Sequence, residues 1–324
     1  MEHGAQGRAR TEPFGYNSGP LESPRSYRRR RLVKRKAIPP ASLELLLFPA
    51  SDTEYVHFED ALDHPFEADA RLFSLVNAWW LADAALLAYW DATRAAPIWK
   101  RAGLEFEFLP SGGTQCHLAW SDRFVIVAFR GTQPNELRDL LTIFRVEHAD
   151  WEFGGGKVHS GFRDAHHDIW PLVQQCLDRL GRGGRTIWFT GHSLGAALAT
   201  LSMDRFEGPA NLYTIGSPPV GDRRFAKGFD QRHAGRSFRY VNHRDIIVWL
   251  PGVLKFLVGS YRHVQERKYI NAQGKCSGNP SLGEWPALLR VLLTGGRVAR
   301  RLKAVVDHTP RRYAAGIWNA YIDT

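Results

Sequence analysis

The stretch RTIWFTGHSLGAALATLSM, Arg185 to Met203, decides the fold. Its opening RTIWFT is apolar and β-rich, as in a strand buried on both faces, and its close LGAALATLSM reads as a helix. Between them stands Gly191-His192-Ser193-Leu194-Gly195, a G-x-S-x-G pattern. A serine on so sharp a strand-to-helix turn sits in a strained backbone, and the flanking glycines let strand and helix approach closely. The free N–H groups and positive dipole end of the following helix favour negative charge beside that serine. The pattern alone also fits a structural Gly-Ser turn; strand and helix in the right order favour a nucleophile.

Working outward, Ala68 to Ala92 carries Leu72, Leu75, Val76, Trp79, Leu86, Leu87 and Trp90 at helical spacing. RFVIVAFRGT (123–132) predicts a second buried strand, and VHSGFRDAHHDIWPLVQQCLDRLG (158–181) a helix closed by Gly181. NLYTIGS and SFRYVN predict two further strands. This alternation implies an α/β fold with a mostly parallel central sheet covered by helices. Residues 1–40, rich in Arg, Lys, Pro and Gly, read as a basic, flexible N-terminal extension, leaving 41–324 as a single domain.

The net charge of +10 is concentrated at two places. Residues 1–36 hold ten Arg/Lys against three Glu, and residues 287–312 hold seven basic residues against Asp307, so the remainder is close to neutral. The arginine run has Tyr27 as its one interleaved aromatic, so nucleic acid is not the expected partner; an anionic lipid surface suits the basic segments better. After the arginines come Pro39 and Pro40, and the apolar LELLLFPA is short and holds Glu44, which does not read as a signal peptide. The longest apolar window, LFSLVNAWWLADAALLAYW, is interrupted by Asn77 and Asp83 and suits a buried helix better than a membrane span. Cys116, Cys176 and Cys276 are far apart, with no C-x-x-C pair, which argues against a disulfide framework and a zinc site. A cytoplasmic or peripheral-membrane location is the expectation. Nothing in the sequence sets the oligomeric state.

A serine at its ordinary acidity needs a base and an orienting acid, which in such a sheet follow it in the chain. Only His233, His243, His263 and His308 lie beyond Ser193. Asp245, in RYVNHRDIIVWLP, stands just past a predicted strand, where a loop presents its carboxylate on the same edge as the serine. It is favoured over Asp204 and Asp230, in helical stretches, and over Asp222, which reads as a helix N-cap. Two histidines follow it. His263 lies in SYRHVQERKYIN, which alternates as a strand does, whereas His308, in VVDHTPRRYAAGIW, sits in a break between helices and is favoured as the base.

With these residues placed, the chain resembles the class 3 lipases, the fungal- and plant-type triacylglycerol lipases of the α/β-hydrolase fold. AFRGT (128–132) looks like the family's oxyanion loop, VHSGF (158–162) like its next signature, GHSLGAALA like its nucleophile turn, GSPPVGD (216–222) like the following strand, YVNHRDII like its acid loop and DHTPRRY like its histidine segment. They occur in the family's order. The resemblance implies Ser193 as nucleophile, Asp245 as acid, His308 as base, and Thr132 with the Leu194 N–H as oxyanion hole. It implies a structural role for His263 and no metal or cofactor. It also places a lid after the oxyanion loop, where QPNELRDLLTIF aligns Leu137, Leu140, Leu141 and Phe144 on one helical face. A fixed surface helix is the plainer reading of that segment. PGVLKFLVG (251–259) lines the acyl site, rests on lipid, or is simply core. The basic extension and WPALLRVLLTGGRVARRLKAVV (285–306) match none of the signatures; the latter has the mixture of an interfacial helix and equally that of a core-covering one.

The expectation is therefore a serine hydrolase of lipid carboxylic esters, an acylglycerol lipase or phospholipase A1-like enzyme working through an acyl-enzyme. A short-chain carboxylesterase shares the same machinery, and a non-catalytic lipid-surface protein shares the same fold.

Overall fold

The computed structural model describes residues 34–40, 42–51, 54–131, 147–181, 183–243, 245, 247–249, 261–271, 274–277 and 306–324. Arg35–Thr324 forms one compact unit. Its strands are β1 (Glu105–Ser111), β2 (Thr114–Trp120), β3 (Phe124–Phe129), β4 (His148–Asp150), β5 (Lys157–His159), β6 (Thr186–His192), β7 (Ala210–Ile215), β8 (Ser237–Asn242), β9 (Glu266–Ile270) and β10 (Cys276–Ser277). Among the described residues the α-helices are α1 (Leu43–Leu47), α2 (Leu75–Leu87), α3 (Ala92–Arg101), α4 (Ser160–Gly181), α5 (Leu194–Arg205), α6 (Arg223–Arg232) and α7 (Pro310–Ile322).

Eight strands form one sheet in the order β1-β2-β3-β6-β7-β8-β9-β10; β4 and β5 pair separately. From β3 through β9 the neighbours are parallel, and antiparallel strands flank them on both sides. The expected mostly parallel sheet is thus present. Successive residues of β3 point to opposite faces, so Phe124, Ile126 and Ala128 join one core and Val125, Val127 and Phe129 another. α2, α3 and α7 cover the first face; α4, α5 and α6 cover the second. Each fully buried Leu, Ile or Val in these layers contributes on the order of 1.5–3 kcal/mol.

The helix expected across residues 68–92 is shorter, because Ser74 caps it: its hydroxyl accepts from the Asn77 amide, and α2 runs only to Leu87. Asn77 and Asp83, which interrupt the apolar run, are buried with partners. Asp83 accepts from the Tyr55 hydroxyl at 2.5 Å and the Phe58 amide at 2.7 Å. No helix among the described residues is long and apolar enough to cross a membrane. All three cysteines are free thiols.

Two sequence expectations shift. Residues 35–40, assigned to the extension, pack on the fold: the Lys36 amide donates to Asn319 Oδ1 at 2.7 Å, and Asn319 Nδ2 donates back to the Lys36 carbonyl at 2.8 Å. The Lys36 ammonium lies 3.9 Å from Asp83 Oδ2 and 4.2 Å from the Tyr55 ring centre. An unpaired buried carboxylate is costly, and this cation supplies the compensation. Residues 1–33 lie outside the described residues. The second shift concerns SYRHVQERKYIN, where Arg262 makes an isolated bridge to Gly221 and pairing in the central sheet starts only at Glu266. Gln265 takes φ 77° and its amide turns to Asp230 Oδ1, which interrupts the alternation and leaves His263 before the strand.

Candidate active site

β6 ends at His192 and α5 begins at Leu194, so Ser193 alone makes the turn. It adopts φ 58° and ψ −123°, a conformation that costs a non-glycine residue about 1–3 kcal/mol. Its amide donates to the Ile215 carbonyl at the end of β7, which pins the strained residue to the sheet. The flanking glycines have a steric cause. A Cβ on Gly191 would lie 2.3 Å from the Gly195 carbonyl carbon, and one on Gly195 would lie 2.2 Å from the Phe129 carbonyl oxygen. Strand, helix and the end of β3 therefore converge here at backbone contact distance.

Asp245 follows β8, its amide closing a turn onto the Asn242 carbonyl at 2.8 Å. It is fully buried. Oδ1 accepts from the Ile247 amide at 2.9 Å; Oδ2 accepts from His308 Nδ1 at 2.7 Å and from the Tyr313 hydroxyl at 2.5 Å. Tyr313 in turn accepts from the Asn242 amide at 3.0 Å, and Asn242 Nδ2 donates to the Asp307 carbonyl at 2.9 Å. One network thus joins the end of β8 to both sides of His308. Burial, with Asp245 next to it, pushes the Tyr313 phenol well above its ordinary range, so the hydroxyl stays a donor.

His308 precedes α7, whose first turn starts at Pro310, as the sequence suggested. Its ring packs on Gly216, where a Cβ would meet Cε1 at 3.1 Å and Nδ1 at 3.2 Å. Ser193 is tied to Ile215, so the two groups adjoin consecutive residues, the last of β7 and the one after it. Because Nδ1 gives its hydrogen to Asp245, Nε2 presents a lone pair. Nε2 and Ser193 Oγ are both buried, and neither has a hydrogen-bond partner among the described residues. A buried unbonded hydroxyl and a buried unbonded ring nitrogen, placed beside consecutive residues and with the ring held by a carboxylate, are the groups that proton transfer and nucleophilic attack require.

Leu194 stands first in α5, where the opening amides have no partner within the helix, the place expected of an oxyanion donor. Thr132 and the lid residues Leu137, Leu140, Leu141 and Phe144 lie outside the described residues, as do residues 251–259 and 285–305. The rival acids are occupied elsewhere. Asp222 caps α6 by accepting from the Phe225 amide, Asp204 holds Arg232 and His233, and Asp230 accepts from Gln265. His263 is bonded to the Val248 backbone, and burial holds it well below its ordinary range, as befits a structural residue. Among the described residues no three His, Cys, Asp or Glu side chains are grouped to hold a metal ion.

Tyr313 and Tyr89 escaped the sequence reading. Tyr313 was visible inside DHTPRRY, but its spacing from His308 carries no sign that its hydroxyl returns to Asp245. Tyr89 stands next to the end of an apolar window that reads entirely as core.

Residues 126–255 match the family model described as lipase (class 3). A lipase of Caenorhabditis elegans is 32% identical over 140 residues, 41% of this chain and 39% of that protein. A secreted mono- and diacylglycerol lipase of Fusarium solani is 30% identical over 155 residues, 45% of this chain and 44% of that protein. The chain spans about two fifths of the length of these curated relatives. Among solved structures, a deletion mutant of Rhizomucor miehei lipase in its propeptide complex shares the α/β-hydrolase fold with a TM-score of 0.51 at 21% identity, covering 73% of this chain and 87% of that one. The matched segment runs from β3 through the nucleophile turn to the Asp245 loop, and over this stretch the chain is similar to the class 3 lipases.

Proposed function

We propose that the protein hydrolyses carboxylic esters of lipids through a Ser193 acyl-enzyme. The observation that carries this reading is that a strained Ser193 with an unbonded hydroxyl and His308, with Nε2 unbonded and its ring held by Asp245, adjoin consecutive residues at the end of β7. His308 Nε2 takes the Ser193 proton as Oγ attacks the ester carbonyl. The oxyanion forms against the Leu194 N–H and the Thr132 backbone. His308 then protonates the departing alcohol, and water, activated by the same nitrogen, releases the fatty acid. Asp245 keeps Nδ1 protonated and stabilises the imidazolium. No step calls for a metal or a cofactor.

Acylglycerols are the favoured substrate class, since the Fusarium solani relative carries mono- and diacylglycerol lipase as its name. The basic content of residues 1–36 and 287–312 supports work at an anionic lipid surface from a cytoplasmic or peripheral-membrane position. The substrate test compares mono-, di- and trioleoylglycerol, phosphatidylglycerol and a short p-nitrophenyl ester, with Ser193→Ala as control. Acylglycerol turnover that rises when the substrate forms an interface supports the lipase reading. Preference for the short ester with no gain at an interface contradicts it, and preference for phosphatidylglycerol reassigns the head group.

A further inference from the structure

His192, the variable position of the G-x-S-x-G turn, is bonded at both ring nitrogens. The Tyr89 hydroxyl lies 2.7 Å from Nδ1, and Nε2 lies 2.7 Å from the His308 carbonyl oxygen. A carbonyl only accepts, so Nε2 carries the ring hydrogen, Nδ1 is a lone pair, and Tyr89 donates to it. His192 is thereby fixed in one tautomer. Burial, reinforced by the neighbouring His308, holds it well below its ordinary range and hence neutral. Its ring centre is 4.5 Å from that of His308, with the planes tilted by 41°.

A third chain segment meets the same pair. A Cβ on Gly131 would lie 2.0 Å from the Tyr89 hydroxyl oxygen and 2.6 Å from the His192 carbonyl oxygen. Only a glycine lets the chain leave β3 so close to both, and the next residue is Thr132. The end of α2, the nucleophile turn, the loop after β3 and the His308 backbone are therefore joined at one point.

We propose that Tyr89 and His192 are positioning residues for the reaction, a brace that sets the His308 ring on Ser193 and holds Gly131, where the chain leaves β3, against the nucleophile turn. The proposal rests on the assignment of Ser193 and His308 to catalysis. A neutral His192 also suits the step in which His308 becomes a cation, because a second positive ring at this distance would oppose it. Neither brace residue touches the reacting atoms; each acts through His308 or Gly131.

The test measures kcat and KM on a soluble p-nitrophenyl ester for Tyr89→Phe, His192→Leu, His192→Gln and Ser193→Ala, with thermal melts of each. Rates are expressed per site titrated with a fluorophosphonate. Misplacement of a reacting group by a fraction of an ångström to one ångström costs up to about 100-fold. His192→Leu, losing both bonds, is expected to lower kcat about 100-fold and Tyr89→Phe about tenfold, with KM changed less than about threefold in either. Gln offers one amide donor and one carbonyl acceptor, and His192→Gln is expected to recover at least tenfold over His192→Leu. Wild-type kcat in Tyr89→Phe and His192→Leu, or no recovery with His192→Gln, overturns the brace. If His192→Leu does not fold, Tyr89→Phe decides by itself, since it removes a single oxygen: unchanged kcat per titrated site with a lowered melting temperature means packing only and overturns the proposal. Full turnover by Ser193→Ala is a separate outcome, which removes the catalytic assignment and the brace with it.

Discussion

Tyr313 donates to the same Asp245 oxygen, Oδ2, that receives the His308 ring hydrogen, at 2.5 Å. The carboxylate is thus fixed from two sides, by a strand-end loop and by α7. Tyr313→Phe removes one of its hydrogen bonds and strips the Asn242 amide of its acceptor. Each buried group left unpaired costs about 1–3 kcal/mol. The variant is expected to lose roughly that much stability in urea unfolding and about tenfold in kcat, with KM little changed. Wild-type kcat would show that Ile247 and His308 suffice to orient Asp245.

Acid sensitivity follows from the buried histidines. Burial, the largest cause in each case, lowers His57 and His117 from 6.5 to about 3 and drives His166, His192 and His263 well below the ordinary range. The unfolded chain takes up protons below about pH 6.5 while these folded sites do not, so stability is complete above that pH and falls as the pH drops. Each such histidine contributes a slope of up to about 1.4 kcal/mol per pH unit. Melting temperatures are expected to be flat from pH 8 to 7 and to decline steeply from 6.5 towards 5. A melting temperature constant down to pH 5 would contradict the assignment of neutral buried rings.

Lys36 bears on where the folded unit begins. Its ammonium is the cation beside the buried Asp83, and its side chain is only 7% exposed. Lys36→Ala leaves that carboxylate without its cation, and the expected loss is about 3 kcal/mol, at the lower end for a broken buried pair. The double variant Lys36→Ala/Asp83→Asn should regain part of it. Equal stability of Lys36→Ala and wild type would place the boundary after Lys36.

The sheet and the order of the elements that carry the candidate residues were legible because both depend on local patterns. RTIWFT and SFRYVN are buried on both faces, and such strands announce themselves as continuous apolar runs. Ser193, Asp245 and His308 could be singled out because an α/β sheet with its nucleophile at a strand end leaves few later positions for partners, and the structure joins the last two by a hydrogen bond. What escaped has a different physical origin. The β1–β2 hairpin joins EFEFLPS to TQCHLAW through Gly112 and Gly113, both at positive φ, and its charged and proline residues hide the strand pattern. Tyr313, Tyr89 and Lys36 act across long separations in the chain, and nothing in their local spacing reports where the fold brings them.

Mass-spectrometric mapping of fluorophosphonate labelling, run on wild type, Ser193→Ala, His308→Ala and Asp245→Asn, tests the central claim most directly. One adduct is expected, on the peptide bearing Ser193, absent from Ser193→Ala and formed at least about 100-fold more slowly in His308→Ala and Asp245→Asn. Labelling of another residue, or an unchanged rate at Ser193 when His308 is replaced, would contradict it.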